Sequence, residues 1–334
     1  YMKSRLRAII RTSEEDIPAS LTDVPFSELP EGDILIESTH ASLNYKDALA
    51  ILGTRPVIRK FPMVCGVDVA GVVKESSCQD IGVGDRVLVT GEGLGEDRFG
   101  GLSELVRVDA KSVVHIPPSL TNSDAMAIGT AGLTAALCVI ALEKFGLFDE
   151  ASEFPILVSG ASGGVGSFAV VLLAKKGVDI TAVSGKKDSL NYLIDLGATQ
   201  VIDRSDVFAK STGYLATARY RGAIDVVGGE MLGEILRQIK PYGAVAACGL
   251  TGGGELMTSL YPFIIRNVAL IGVESIRTPH ELRVKAWERL ANDIDRSILA
   301  KTTSTIGLDE VVDVVPKFLN GEIQGRLVVE IESQ

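Results

Sequence analysis

The sequence predicts an α/β chain in two parts, a doubly wound parallel sheet and a compact barrel-like β region. Three observations predict this. From Ile156 onward, short apolar runs alternate with helix-like stretches. A glycine-rich turn, Ser159-Gly-Ala-Ser-Gly-Gly-Val-Gly166, follows the first of those runs and opens a helix. Before Pro117-Pro118 the chain carries short β-like runs divided by turns.

The β region comes first. Runs at 34–38, 69–73, 86–90 and 105–108 read as strands, and Gly82-Val-Gly-Asp85 is a tight turn before the third. Glycines at 91, 93, 95, 100 and 101 mark a long loop of the kind that carries function. After Pro118, Thr121 or Ser123 caps a helix over 124–144, with Gly146 past its end. The alternating part follows: strand 156–159, helix 165–176, strand 179–183, helix 187–196, then strands at 200–202, 223–227, 244–247 and 268–272. Short continuous apolar runs with helices between them mean parallel strands covered on both faces. A helix over 281–295 and a strand over 326–331 close the chain. That last strand is expected to rejoin the first region.

Composition excludes several classes. The 334 residues suit about two domains. Lys and Arg number 33 against 43 Asp and Glu, a net charge of −10, which argues against a general nucleic-acid binder. The apolar stretch 125–142 is broken by Gly129, Thr130, Gly132 and Thr134 and falls short of the about 20 residues of a membrane span. No secretory leader is expected, because no apolar run follows the basic start. Cys65, Cys78, Cys138 and Cys248 have neither disulfide-framework nor zinc-knuckle spacing, so a cytoplasmic location is expected. His40, His115 and His280 are too scattered for a metal site.

The glycine turn carries the chemistry. Glycines after a strand allow a tight turn and close approach of backbone N–H groups to a pyrophosphate, and the helix N-terminus favours its charge. The register is Ala161-x-Gly163-x-x-Gly166, with an extra Gly160, so Ser162, Gly163, Gly164, Val165 and Gly166 are cofactor candidates. NAD-binding turns commonly place Asp or Glu about 20 residues on, at the end of the second strand. Here that strand runs into Ser184-Gly185-Lys186-Lys187, and Asp188 comes late. Lysines attract a 2′-phosphate that a carboxylate would repel. The cofactor expected is NADPH, with Ser184, Gly185, Lys186 and Lys187 at the phosphate and Arg204, after the third strand, as a further contact.

These residues resemble the medium-chain dehydrogenase/reductase superfamily over essentially the whole chain. Gly129-Thr-Ala-Gly-Leu-Thr-Ala135 is similar to its helix before the first parallel strand, and the turn at 160–166 to its quinone-reductase type of phosphate turn. Gly66-Val-Asp-Val-Ala-Gly71 and Asn44-Tyr-Lys-Asp47 stand where zinc alcohol dehydrogenases carry a zinc-binding His and Cys. The cysteine-rich structural-zinc lobe is missing too. The resemblance is therefore to a zinc-free branch. Ser42-Leu-Asn-Tyr-Lys-Asp-Ala-Leu49, residues 158–167 and Pro262-Phe-Ile-Ile-Arg266 resemble NADPH-dependent acryloyl-CoA reductases, a subgroup often labelled quinone oxidoreductase.

The resemblance implies a Rossmann NADP-binding domain at 125–273. It implies a discontinuous GroES-like β-barrel catalytic domain at 1–124 and 274–334. It also implies hydride transfer to the C=C bond of an enoyl thioester, most closely acryloyl-CoA to propanoyl-CoA. Without zinc, charge on the thioester oxygen needs a hydrogen-bond donor, and the α-carbon a proton from a side chain or water. Tyr45 is the first catalytic candidate, as donor or as a positioning and cofactor-binding group. Asn44 orients cofactor or substrate, and Arg98 lines the cleft mouth. Further cofactor contacts implied are Thr130, Thr134, Gly249, Leu250, Thr251, Val273, Ser275, Gly325 and Arg326. Coenzyme A calls for a basic rim, with residues 55–60 one candidate and Arg266, Arg277, His280, Arg283 and Lys285 another. An acyl-CoA substrate, no nucleic acid, no membrane, and a homodimer or dimer of dimers through the strand at 268–272 complete the expectation. A reductase of quinones or small enones, and a non-catalytic NADPH-binding protein, remain as alternatives.

Overall fold

The computed structural model describes residues 4–208 and 212–332. Its first strands are β1 (Arg5–Arg11), β2 (Ser20–Pro25), β3 (Ile34–Leu43), β4 (Met63–Val64), β5 (Asp68–Ser76), β6 (Arg86–Thr90), β7 (Leu105–Val108) and β8 (Val114–His115). Then follow β9 (Ile156–Val158), β10 (Ile180–Val183), β11 (Gln200–Ile202), β12 (Tyr220–Asp225), β13 (Ile239–Ala247) and β14 (Ala269–Gly272). The last two are β15 (Thr303–Gly307) and β16 (Arg326–Glu330). The helices that matter below are α1 (Tyr45–Leu52), α2 (Asn122–Lys144), α3 (Gly164–Lys175), α4 (Leu190–Asp195), α5 (Gly229–Arg237), α6 (Tyr261–Arg266) and α7 (His280–Asp293). The chain divides into two compact units, one ending at Thr130 and resuming at Ile276, the other Ala131–Ser275.

In the second unit six strands lie in the order β11-β10-β9-β12-β13-β14, every neighbouring pair parallel. Counted from β9 this is the 3-2-1-4-5-6 order of a doubly wound sheet, which reverses between β9 and β12. Strands covered on both faces are buried along their length and mostly apolar, and β9, β10 and β12 are buried throughout. Leu157 sits between Thr181 and Ala223 and packs with Val183, Ile235 and Val245. Truncating such a leucine to alanine costs about 2–5 kcal/mol.

The first unit holds a three-stranded sheet, β2-β1-β4, and a larger one in the order β15-β16-β3-β5-β6-β8, with β7 also on β3. The closing strand β16 pairs antiparallel with β3, Leu327 opposite Leu43 and Val328 opposite Ser42. It does not extend the parallel sheet. Register on the other side of β3 sets His40 opposite Ala70. Two residues further along each strand, the same pairing brings Ser42 to Asp68.

Several elements differ from expectation. The strands β1 and β2, helix α1 and strand β15 are additional. The expected helix 187–196 is a 3-10 turn, Lys187–Ser189, followed by the short α4. The expected helix 124–144 begins at Asn122. Thr121 caps it: Asp124 N donates to Thr121 Oγ1 at 3.0 Å and Thr121 N to Asp124 Oδ2 at 2.9 Å. Its length and composition match a membrane span, but 83% of its apolar window is buried. It is also interrupted at Gly129, where φ 52° and ψ −159° leave the helical region.

Candidate active site

The glycine turn of the second unit is built by contact distances that forbid side chains. A Cβ on Gly166 would lie 2.4 Å from Gly160 O and 2.6 Å from Ala161 Cα, so α3 rests directly on the turn. Gly160 takes φ 55°, and its own Cβ would meet Val226 Cγ2 at 2.5 Å. Ala161, where the dinucleotide pattern has glycine, is fully buried and donates its N–H to Val183 O at 3.0 Å. Its methyl faces the core, which is why alanine is accepted there. Gly163 stands before α3, and Gly164, Val165 and Gly166 form its first turn. A helix leaves the N–H groups of that turn without intrahelical acceptors, which suits an anion.

At the end of β10 the polar residues converge. Ser184 Oγ lies 3.1 Å from Ser162 Oγ and accepts from Ser189 Oγ at 2.8 Å and Lys186 N at 3.1 Å. Arg204 folds over Gly185 so closely that a Cβ there would sit 2.3 Å from Arg204 Nη2. Lys186 is half-buried, and that burial lowers its ammonium pKa. Ser162, Ser184, Gly185 and Arg204 thus form one cradle, to which Lys186 is bonded through its backbone N–H. The side chain of Lys187 lies outside the described residues. Such a donor set fits a phosphate on the 2′ position of a dinucleotide.

The other strand ends are glycine-lined. A Cβ on Gly249 would meet Val226 O at 2.2 Å, and Thr251 Oγ1 donates to that same oxygen at 3.4 Å. Leu250 beside them is exposed, and Val273 N donates to Ala247 O at 2.9 Å. Ser275 is half-buried after β14, and Thr134 is buried on α2. Cys248 reaches Asp225 O through Sγ at 3.6 Å and interacts with the buried Cys138.

The first unit contains a polar cluster that sequence reasoning missed. Asp68, on β5, is fully buried. Its Oδ2 accepts from Ser42 Oγ, from Asn44 Nδ2 at 3.0 Å and from Thr130 N at 2.8 Å. Its Oδ1 accepts from Thr130 Oγ1 at 2.5 Å. Asp47, in the first turn of α1, accepts from Asn44 N at 2.8 Å, Asn44 Nδ2 at 3.2 Å and Val67 N at 3.0 Å. Burial, and then the neighbouring Asp68 carboxylate, push Asp47 up to about 7. Arg326, beside Leu327 of the β16–β3 register, donates Nη1 to Asn44 Oδ1 and Nε to Ala127 O, both at 3.0 Å. The preceding Gly325 takes φ 70°.

Gly129 closes the cluster. A Cβ there would lie 2.6 Å from Ser42 Oγ, 2.7 Å from Arg326 Nη2 and 2.8 Å from Asp68 Oδ2. The break in α2 is what turns Thr130 N toward Asp68.

Three further expected groups make the following contacts. Asn44 donates its amide hydrogens to Asp47 and Asp68 and accepts from Arg326 through its oxygen. Arg98, on the glycine-rich loop, pairs with Asp109 Oδ2 at 2.7 Å and is partly exposed. In the second basic group His280 and Lys285 are exposed, whereas Arg266 and Arg283 are engaged. Arg266 grips the carbonyls of Arg237, Ile239 and Ala216, and Arg283 is 1% exposed, held by Thr90 O, Glu92 Oε1 and Ile276 O. Arg55, Arg59 and Lys60 are exposed. Tyr45, at the start of α1, is 37% exposed. Among the described residues no group of three or more His, Cys, Asp or Glu forms a metal cluster.

The comparisons agree with this layout. Residues 30–118 match the model of the alcohol dehydrogenase GroES-like domain, and 164–292 that of the zinc-binding dehydrogenase. The "Probable acrylyl-CoA reductase AcuI" of Escherichia coli is 46% identical over 94% of this chain and 95% of its own. The yhdH oxidoreductase of Salmonella enterica, solved in complex with NADP, superposes with a TM-score of 0.93 at 43% identity, covering 98% of this chain and all of that one. The "Putative quinone oxidoreductase YhfP" of Bacillus subtilis is 38% identical over 95% of this chain and 96% of its own. Its structure, with NAD bound, superposes with a TM-score of 0.93 over 98% of this chain and all of that one.

Proposed function

The chain belongs to the medium-chain dehydrogenase/reductase family of oxidoreductases. From that premise we propose that it reduces the C=C bond of a short 2-enoyl-CoA with NADPH, acryloyl-CoA to propanoyl-CoA in particular. The observation that carries the reading is the cradle of Ser162, Ser184, Gly185, Lys186 and Arg204, which fits a 2′-phosphate. The acyl substrate follows the AcuI relative, 46% identical along nearly the whole chain. When bound, NADPH supplies the hydride.

The residues have separate tasks. The turn at 160–166 and the cradle would hold the phosphates, and Gly249, Leu250, Thr251, Val273, Ser275 and Thr134 would line the cofactor's path. Thr130 and Arg326 would contact it through the Asp68 cluster. Tyr45 donates its hydroxyl hydrogen to the thioester oxygen as negative charge develops there. Tyr45 is exposed at the first position of α1, which leaves its side chain accessible to a ligand. Val67 and Asn44 stand where zinc-dependent relatives carry ligands, so this polarisation falls to a side chain.

Two further parts complete the proposal. The edge strand β14 bonds only β13 among the described strands, and Leu260, Ile264, Ile265 and Leu270 near it are exposed. An open edge with apolar neighbours suits pairing with a second copy, so we assign a homodimer or a dimer of dimers. The four free cysteines favour a cytoplasmic location.

The test compares acryloyl-CoA, crotonyl-CoA and a benzoquinone at matched concentrations, following NADPH oxidation. A kcat/KM for acryloyl-CoA above both others is expected. A preference for the quinone would overturn the acyl substrate and favour the reading that the YhfP relative's name carries. Tight NADPH binding with no turnover of any of the three would leave a binding protein.

A further inference from the structure

The Asp68 cluster has a hydrogen-bond polarity that its members fix for one another. An ionised carboxylate only accepts, and every group that touches Asp68 is a donor. The hydroxyls of Ser42 and Thr130 each carry one hydrogen, and both hydrogens point at Asp68. Toward any other group these two oxygens offer lone pairs alone. Asn44 is oriented in the same way, with its amide hydrogens on Asp47 and Asp68 and its oxygen on Arg326. Arg326 is 3% exposed, and its Nη2 has no hydrogen-bond partner among the described residues. A buried guanidinium nitrogen without an acceptor is costly, and a ligand that supplies one removes that cost.

We propose that Asp68 is a positioning residue that sets Thr130 as acceptor and Arg326 Nη2 as donor, so that the cluster takes a ligand group carrying both a donor and an acceptor, a hydroxyl or carboxamide. The inference rests on the reading of Thr130 and Arg326 as cofactor contacts, and it adds why they must have opposite polarity. Gly129 is part of the device, since any side chain there would fill the space beside Arg326 Nη2.

The experiment measures dissociation constants of the full-length protein for NADPH and for 2′,5′-ADP, which keeps the 2′-phosphate but lacks the nicotinamide end. Asp68→Asn turns one of the two accepting oxygens into an amide NH2, so one of the hydroxyls of Thr130 and Ser42 loses its acceptor and must turn its hydrogen elsewhere. It is expected to weaken NADPH about tenfold, the scale of one hydrogen bond, and to leave 2′,5′-ADP within about twofold. Thr130→Val keeps the backbone N–H on Asp68 but removes the acceptor oxygen, so it tests the same polarity if Asp68→Asn fails to fold. A similar loss for NADPH is expected, with rescue to within about twofold by Thr130→Ser. Wild-type NADPH affinity in Thr130→Val, or equal losses for the two ligands, would overturn the inference. Failure of the wild-type protein to bind either ligand would instead overturn the cofactor reading beneath it.

Discussion

The two units carry their polar residues in opposite ways. In the second, the cradle at the end of β10 comes from two short stretches, 184–186 and 204, with Ser162 across the glycine turn. In the first, the cluster joins Ser42, Asn44, Asp47, Asp68, Thr130 and Arg326, and Arg326 bonds Asn44 across 282 positions of sequence. The cradle is half open, with Arg204 exposed and Lys186 half-buried. The cluster is largely buried, and its members satisfy one another except at Arg326 Nη2. A solvated site can lose one member and keep its fold, whereas a buried network with one member removed leaves an unpaired charge.

The largest effect expected from breaking this comparison lies at neither. Tyr45→Phe removes the proposed donor to the developing oxyanion, and kcat should fall about 100-fold, the scale seen when one such donor is lost. NADPH affinity should hold, as checked by fluorescence titration. An unchanged kcat would return the task to another group or to water. Next comes the cradle. Arg204→Leu should lower NADPH affinity about tenfold and leave NADH unaffected, because only the former carries the phosphate.

A smaller effect sharpens the cluster side. Folded Asp47 holds its proton up to about pH 7, against an ordinary value of 3.8. Between those limits the folded protein binds more protons than the unfolded chain, so this group's contribution to stability declines as pH rises. Asp47→Asn cannot titrate. Its Tm penalty should therefore be larger at about pH 5 than at about pH 8. Equal penalties at both pH values would contradict the raised value. The smallest effect is at Arg98→Ala. Its pair with Asp109 is partly exposed, so both kcat/KM and Tm should stay close to wild type in a direct side-by-side assay.

This contrast also explains what the sequence could reveal. The parallel sheet was legible because each buried strand is a short apolar run closed by a glycine or a cap, a signal that lives in adjacent residues. The cradle was legible for the same reason, as Ser184 to Lys186 follow β10 directly. The Asp68 cluster depends on register between β16, β3 and β5, which no local pattern encodes. One signal was available: an aspartate in Gly66-Val-Asp-Val-Ala-Gly71, between residues that sit in a buried strand. Helix α1 was missed because its eight residues show little periodicity, and its cap, Asp47 on the Asn44 N–H, is itself part of the cluster. Asp68 and Arg326, which hold Asn44, lie far from it in sequence, so no local pattern announces them.

The central claim is that the β10 strand end reads a 2′-phosphate. The measurement that tests it most directly is the ratio of kcat/KM for NADPH over NADH in the unmodified protein, with one enoyl-CoA held at saturation. Arg204, Lys186 and the cradle's hydroxyls predict a ratio of at least about 100, from charge-assisted contacts that NADH cannot make. A ratio near one would contradict the account, and would mean that Lys186 and Arg204 are only a solvated edge of the sheet.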